Sequence, residues 1–289
     1  IRQANLSLSD KPKQIKDLDM NTMPMVAYLG FSIHGDEASG TEASLLLLHH
    51  LAAGSGKEID NILKNTVLIV DPMFNPDGRD RFVNWVNGNR GAVASSDPQD
   101  REHNQPWPRG RTNHYLFDMN RDWMPVTQPE SNGRIKLFHN WRPQFLLDAH
   151  EMGGNATFFF QPGIPSRNNP NTPQGTFDLA KKLAPYHAKR LDDIQSMYYS
   201  EQSYDDFYYG KGSTFGDIHG SVGILFEQAS SRALETDTNQ GRLTYAFTVR
   251  NHFMATLGTL DGLVDLRMDF LRYHRDFYAT SSDAAKKNT

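Results

Sequence analysis

The chain has 289 residues, 38% of them apolar and 11% aromatic, and its 34 acids against 30 bases leave a net charge of −4. That length can bury a large core, while the charge excludes the basic footprint of a nucleic-acid binder and the polybasic stretch of a membrane-surface anchor. No apolar run approaches the roughly eighteen residues of a membrane span, and the absence of cysteine excludes disulfides and thiolate metal sites.

Residues 1–22 are polar and weakly patterned, and read as an N-terminal tail or linker. MVAYLGFSI (25–33) is a continuous apolar run of strand length, as expected of a strand covered on both faces. EASGTEASLLLLHHLAAG follows with helical composition, and His49 and His50 near its end suit a structural role against the helix dipole. NTVLIVDP (65–72) is a second buried strand, after which 73–120 reads as a long polar loop. A structureless loop of that length is unusual in a compact domain unless it is functional. PESNGRIKLFHNW is helical, QFLLDAH (144–150) and ATFFFQP (156–162) are strands, and 175–200 is an amphipathic helix despite Pro185. SVGILFEQ (221–228) is a fifth strand and 239–270 a last long helix. Strands alternating with helices predict a single three-layer α/β/α domain over 23–279 with a mixed, mostly parallel central sheet, followed by a tail at 280–289.

In such sheets ligands bind outside the carboxyl ends of the strands. The first apolar run ends in His34 and Glu37, the second leads into FNPDGRDR, the third ends in Asp148 and His150, and the fifth in Glu227. A lone H-x-x-E has an ordinary explanation, an acid near a helix start beside a histidine closing a strand. Without cysteine, however, a zinc site needs a third ligand such as His, giving two imidazoles, a carboxylate and an open position. His150, which also directly follows a strand, is the natural candidate. HEMGG is not the H-E-x-x-H zinc helix, because Gly154 stands where the second histidine would be.

HGDE, NPDGRDR, DMNRDW, a strand-ending His and a later strand-ending FEQ, in that order over about residues 24–230, resemble the zinc carboxypeptidases of the carboxypeptidase A type. The resemblance implies a carboxypeptidase-like (phosphorylase/hydrolase-like) fold and one Zn²⁺ held by His34, Glu37 and His150. It implies Glu227 as the general base, which takes a proton from the attacking water and passes it to the leaving amine. Arg90, twelve residues beyond Gly78, takes the oxyanion-stabilising role, among several nearby arginines that include Arg79, Arg81, Arg101, Arg109 and Arg111. Asn120 and Arg121 match the pair that grips a terminal carboxylate, for which a guanidinium fork is suited. Tyr208 or Tyr209 takes the place of a tyrosine that closes on substrate. Asp148 or Glu151 is expected to orient the imidazoles.

The implied partner is the C-terminus of a peptide or protein, with no nucleic acid and no membrane insertion. Thr214, Phe215 or Asp217 is placed to set side-chain preference, Asp217 favouring a basic terminal residue and the other two a neutral or apolar one. The stretch from Arg90 to Asn120 is longer than the family pattern, which suggests an insertion that shapes the cleft. Only 33 residues precede His34, so the expectation is either a smaller sheet or a fragment whose further strands lie upstream, the latter in keeping with the Ile1 start. A secreted or periplasmic location is favoured over a cytoplasmic one. Two other readings keep the scaffold: a zinc amidase or deacylase acting on cell-wall peptides, acylated amino acids or glutamylated tails, and a catalytically silent binding module.

Overall fold

The structure, a computed structural model, describes residues 1–287. Six strands form the central sheet: β1 (Met25–Phe31), β2 (Thr66–Asp71), β3 (Phe145–Met152), β4 (Phe158–Phe160), β5 (Tyr198–Tyr199) and β6 (Val222–Ala229), in the order β2-β1-β3-β6-β4-β5. All neighbours run parallel except β4 and β6, so the sheet is mixed and mostly parallel, as the alternation of strands and helices predicts. Alternating side chains serve the two faces. Met25, Ala27, Leu29 and Phe31 of β1, with Phe145, Leu147, Val222, Ile224 and Phe226, enter one core with the helices α3 (Ser39–Ala53), α7 (Gln174–Asp193), α9 (Tyr245–Asp265) and α10 (Arg267–Lys287). Tyr28 and Leu146 enter a second, smaller core with Phe74, Trp123, Phe138 and Phe215.

Several expectations change. Residues 1–22 are not a tail: helices α1 (Arg2–Asp10) and α2 (Asp17–Met20) bury Leu8 and Met20 in the main core. The Asn5 carboxamide, fully buried, donates to Trp141 O and accepts from Gln144 Nε2, which fixes α1 to the start of β3. The loop expected over 73–120 contains α5 (Pro76–Asn89), capped by the Asn75 side chain, which accepts from Gly78 N at 2.9 Å. The expected helix over 239–270 is a β-ribbon, β7 (Glu235–Thr238) with β8 (Gly241–Thr244), followed by α9 and α10. Residues 280–287 of the expected C-terminal tail are helical, and 288–289 lie outside the described residues. The shorter helices α4 (Lys57–Asn65), α6 (Pro129–Trp141) and α8 (Gly212–Phe215) complete the layers.

Candidate metal centre and its surroundings

The two quoted motifs at the ends of β1 and β2 are one structural unit. A Cβ on Gly35 would lie 2.0 Å from Arg79 N, and one on Gly78 would lie 2.1 Å from Gly110 O, so three backbones meet where only glycine fits. Asn75 closes the unit, donating to Ile33 O and to Arg111 O, each at 3.2 Å. The asparagine and glycine of NPDG therefore work structurally. They hold the end of β1 and bring the Arg111 segment against it.

His34, Glu37 and His150 converge there, all buried, with ligand atoms within 4.8 Å of one another. Glu37 bridges the two rings, Oε1 to His34 Nδ1 and Oε2 to His150 Nδ1, both at 2.8 Å. The two Nδ1 atoms stand 3.2 Å apart. With each Nε2–H turned to a carboxylate, both Nδ1 lone pairs face one another, and a proton or a metal cation between them relieves the repulsion. Ligand bonds of about 2.0–2.2 Å in a tetrahedron set ligand atoms roughly 3.3–3.5 Å apart, close to this spacing, and the donor set suits zinc.

Each ring is oriented from behind. His34 Nε2 faces Asp118 Oδ1 at 3.1 Å and His150 Nε2 faces Asp148 Oδ1 at 2.9 Å, which directs both Nδ1 atoms toward the shared point. Of the two acids expected in this role, Asp148 fills it and Glu151 does not. Glu151 is tied to Ser39 and Ser230, and its backbone N–H donates to Glu37 Oε2 at 3.0 Å. Asp118, the first residue of DMNRDW, is a site residue that the sequence reading misses; its position two residues before Asn120 is the available signal. Burial opposes the charged forms, yet Glu37 and Asp118 hold His34 above its ordinary range, and Asp148 and Glu37 do the same for His150. Protons thus compete with a cation for the triad.

Glu227 lies beside His150 in register on adjacent strands, and both project to the face of the smaller core. Burial pushes its carboxyl up to about 8; Glu37 and Asp148 add to this, while His150 and His34 oppose it.

The arginines divide differently from the expectation. Arg111 Nη1 comes within 3.3 Å of His34 Nδ1, and its guanidinium is held by Asp118 Oδ2 at 2.7 and 3.0 Å. Arg90 closes α5, is exposed, and lines a cavity with Arg79 and Tyr245; among the described residues it has no ion pair or side-chain hydrogen bond to the triad. The sequence could not choose, because a loop arginine's chain position does not encode which way it turns.

Asn120 is buried and fully engaged: Nδ2 reaches Asp148 Oδ2 (3.0 Å) and His150 Nε2 (2.9 Å), while Oδ1 accepts from Trp123 Nε1 (3.1 Å) and Gly212 N (2.8 Å). Arg121 is exposed, with Nη1 donating to Asn120 O at 2.7 Å. Tyr208 donates to Arg121 O at 3.1 Å, whereas the Tyr209 hydroxyl turns away to Thr172 Oγ1 at 2.9 Å. Thr214, Phe215 and Asp217 are all buried, with Phe215 stacked near Trp123.

A family model described as zinc carboxypeptidase matches residues 5–222, ending five residues before Glu227. A probable carboxypeptidase 2 from Arthroderma benhamiae is 26% identical over 178 residues, covering 58% of this chain and 28% of that relative. Mouse carboxypeptidase D is 27% identical over 140 residues, 46% of this chain and 9% of its own length. The chain therefore spans under a third of the length of the curated relatives it matches. Among solved structures, a metallo-carboxypeptidase from Burkholderia cenocepacia has a TM-score of 0.60 at 14% identity, covering 84% of this chain and 58% of that one. One from Pseudomonas aeruginosa has a TM-score of 0.61 at 14% identity, covering 85% and 58%. These last two establish a shared fold. Among the described residues, no helix is long and apolar enough to cross a membrane.

Proposed function

Because the chain belongs to the zinc carboxypeptidase family, we propose that it hydrolyses the C-terminal peptide bond of a peptide or protein, with one zinc ion held by His34, Glu37 and His150. The observation that carries this reading is the buried triad with Glu227 beside it on the neighbouring strand. A zinc ion bound there supplies a Lewis acid that polarises a carbonyl and acidifies water. Glu227, as carboxylate, takes the proton of the attacking water and returns it to the leaving amine. Arg111 is the guanidinium at hand to stabilise the oxyanion, since it reaches the ring that faces the metal point. Arg121 binds the terminal carboxylate and Tyr208 closes over it. Asn120, rather than gripping substrate, positions Asp148 and His150.

The activity is tested by following release of C-terminal residues from a peptide library. Loss of release with a chelator and return with zinc is the expected result; release indifferent to chelation overturns the reading. The engagement of Asn120 favours a second reading, because only Arg121 of the expected pair remains free to grip a carboxylate. An amidase of the same site would cleave C-terminally amidated and free-acid peptides equally, and Arg121→Ala would leave both rates alone.

A further inference from the structure

Residues paired across a sheet put their side chains on one face. His150 of β3 pairs with Glu227 of β6, Glu227 with Phe159 of β4, and Phe159 with Tyr199 of β5. These four therefore form one row on the face that carries the metal centre, while Phe158 and Phe160 turn the other way, into the main core. Met152, two residues beyond His150 on β3, shares the face of the row. Beyond Glu227 the row is walled by two phenols with no part in the reaction described. The rings of Tyr199 and Tyr204 pack on Phe159 with centroids 5.4 and 4.5 Å away, and both hydroxyls donate to the Met152 sulfur at 3.3 Å.

The Tyr204 backbone is clamped, since its carbonyl accepts from Ile164 N at 3.0 Å and a Cβ on Gly163 would lie 2.4 Å from it. Tyr199, Tyr204 and Met152 are all half-buried, with part of their surface open. Burial raises both phenols above their ordinary range and Glu227 adds to it, so they stay protonated donors near that carboxylate. The two hydroxyls also lie within reach of one another. A thioether is a weak acceptor. Two phenols that share one sulfur can turn to a stronger acceptor at little cost, and a main-chain carbonyl is the acceptor that a peptide brings.

Position along β3 says which part of a substrate the tyrosines meet. Asn120, Arg121 and Gly212 gather at the level of Asp148, two residues before His150. Asn120 reaches Asp148 Oδ2, Arg121 donates to Asn120 O, and a Cβ on Gly212 would lie 2.7 Å from that same carboxylate. Met152 and the two phenols stand two residues after His150, roughly 7 Å to the other side at about 3.3 Å per residue. A chain with its terminal carboxylate at Arg121 and its scissile carbonyl at the triad runs its upstream residues toward them. Resting on the carboxypeptidase reading, we propose that Tyr199 and Tyr204 donate to main-chain carbonyls upstream of the scissile bond. The substrate class is then a peptide, and not an acylated amino acid, which has no such carbonyl to offer.

The test uses a series that ends in the residue released fastest from the peptide library: its benzoyl derivative, a benzoyl dipeptide and a benzoyl tripeptide. These carry no carbonyl, a single one and a pair upstream of the scissile one. With the zinc-loaded protein, kcat/KM is expected to rise at least about tenfold along the series, the scale of one or two hydrogen bonds. The double variant Tyr199→Phe/Tyr204→Phe keeps both rings on Phe159 and removes only the hydroxyls, and most of the rise should vanish in it. A purely structural role would lower all three rates and leave their ratios standing, and that result overturns the proposal. Equal rates for the three substrates in the parent protein overturn it as well. Release of no residue from the library by the zinc-loaded parent would instead sink the carboxypeptidase reading, and the inference would fall with it.

Discussion

Two buried groups of acids in this protein handle their charge in opposite ways. In the triad, both oxygens of Glu37 and all four ring nitrogens of His34 and His150 have partners. In the second group, Asp206 Oδ1, Asp217 Oδ2 and Ser213 Oγ are buried with none among the described residues. Glu37, although buried, is held well below the ordinary carboxylate range by His34 and His150. Asp206 is pushed up to about 7 by burial against the pull of Lys211, and Asp217 is raised by burial and by Asp206. An acid among imidazoles stays ionised and ready for a cation; an acid beside another acid keeps a proton instead.

The sharpest way to break this contrast is at the triad and Glu227, the proposed base. Glu227→Gln is expected to lower kcat by about 10²–10⁴, the usual share of a general base, with zinc stoichiometry intact. His150→Ala should lose the zinc as well. Steady-state kinetics with elemental analysis separates these two outcomes. Positive charge at the triad draws Glu227 below its value of about 8, so the acid limb of kcat/KM falls below that pH.

A smaller effect is expected one step back. Asp118→Asn keeps the shape of the support but weakens the charge behind His34, and should cost about 10–100-fold in zinc affinity. Competition with a chromophoric chelator measures it. Asp217→Asn, which touches no ring, should leave zinc affinity unchanged, and an equal loss in both variants would erase the distinction drawn here.

The acid pair shows itself in stability. Asp206 in the folded protein titrates at about 7 against an ordinary 3.8, so between these values the folded state holds a proton that the unfolded chain has released. Its stabilising contribution is therefore full below about pH 4 and is lost as pH rises through 7. The melting temperature should decline from pH 5 to pH 8, and Asp206→Asn should flatten that decline, as read by calorimetry. An unaltered slope in the variant would place the titration elsewhere. The least effect is expected from the tyrosines. Tyr208→Phe should raise KM by about two- to tenfold, the range of one hydrogen bond, and Tyr209→Phe should not change it.

The sheet was legible because β1, β3 and β6 are apolar on both faces, which writes them as unbroken runs whatever the loops do. The triad was legible for the same reason, since each histidine directly follows such a run. Helix α5 was hidden by its own composition: PDGRDRFVNWVNGN carries a proline and two glycines and buries only Gly78 and Phe82. Its start was signalled by Asn75 and Pro76, a cap and a first-turn residue that read equally well as a turn. Residues 1–22 looked like a tail because their anchors, Asn5, Leu8 and Met20, are too widely spaced to form a pattern. The choice of Arg111 over Arg90 depends on Asn75 holding the Arg111 backbone, a contact across 36 residues that no local pattern records.

The Asn120 carboxamide joins Asp148, His150, Trp123 and the Gly212 backbone through one planar group. Removing it undoes three hydrogen bonds and the contact with the His150 ring in a single stroke, so its effects and those of its neighbours will be epistatic rather than additive. An alanine at this position would shift the metal, the loop and the aromatic packing together. Its kinetic deficit would then be mistaken for a lost grip on substrate, unless it were measured in a cycle with Asp148→Asn.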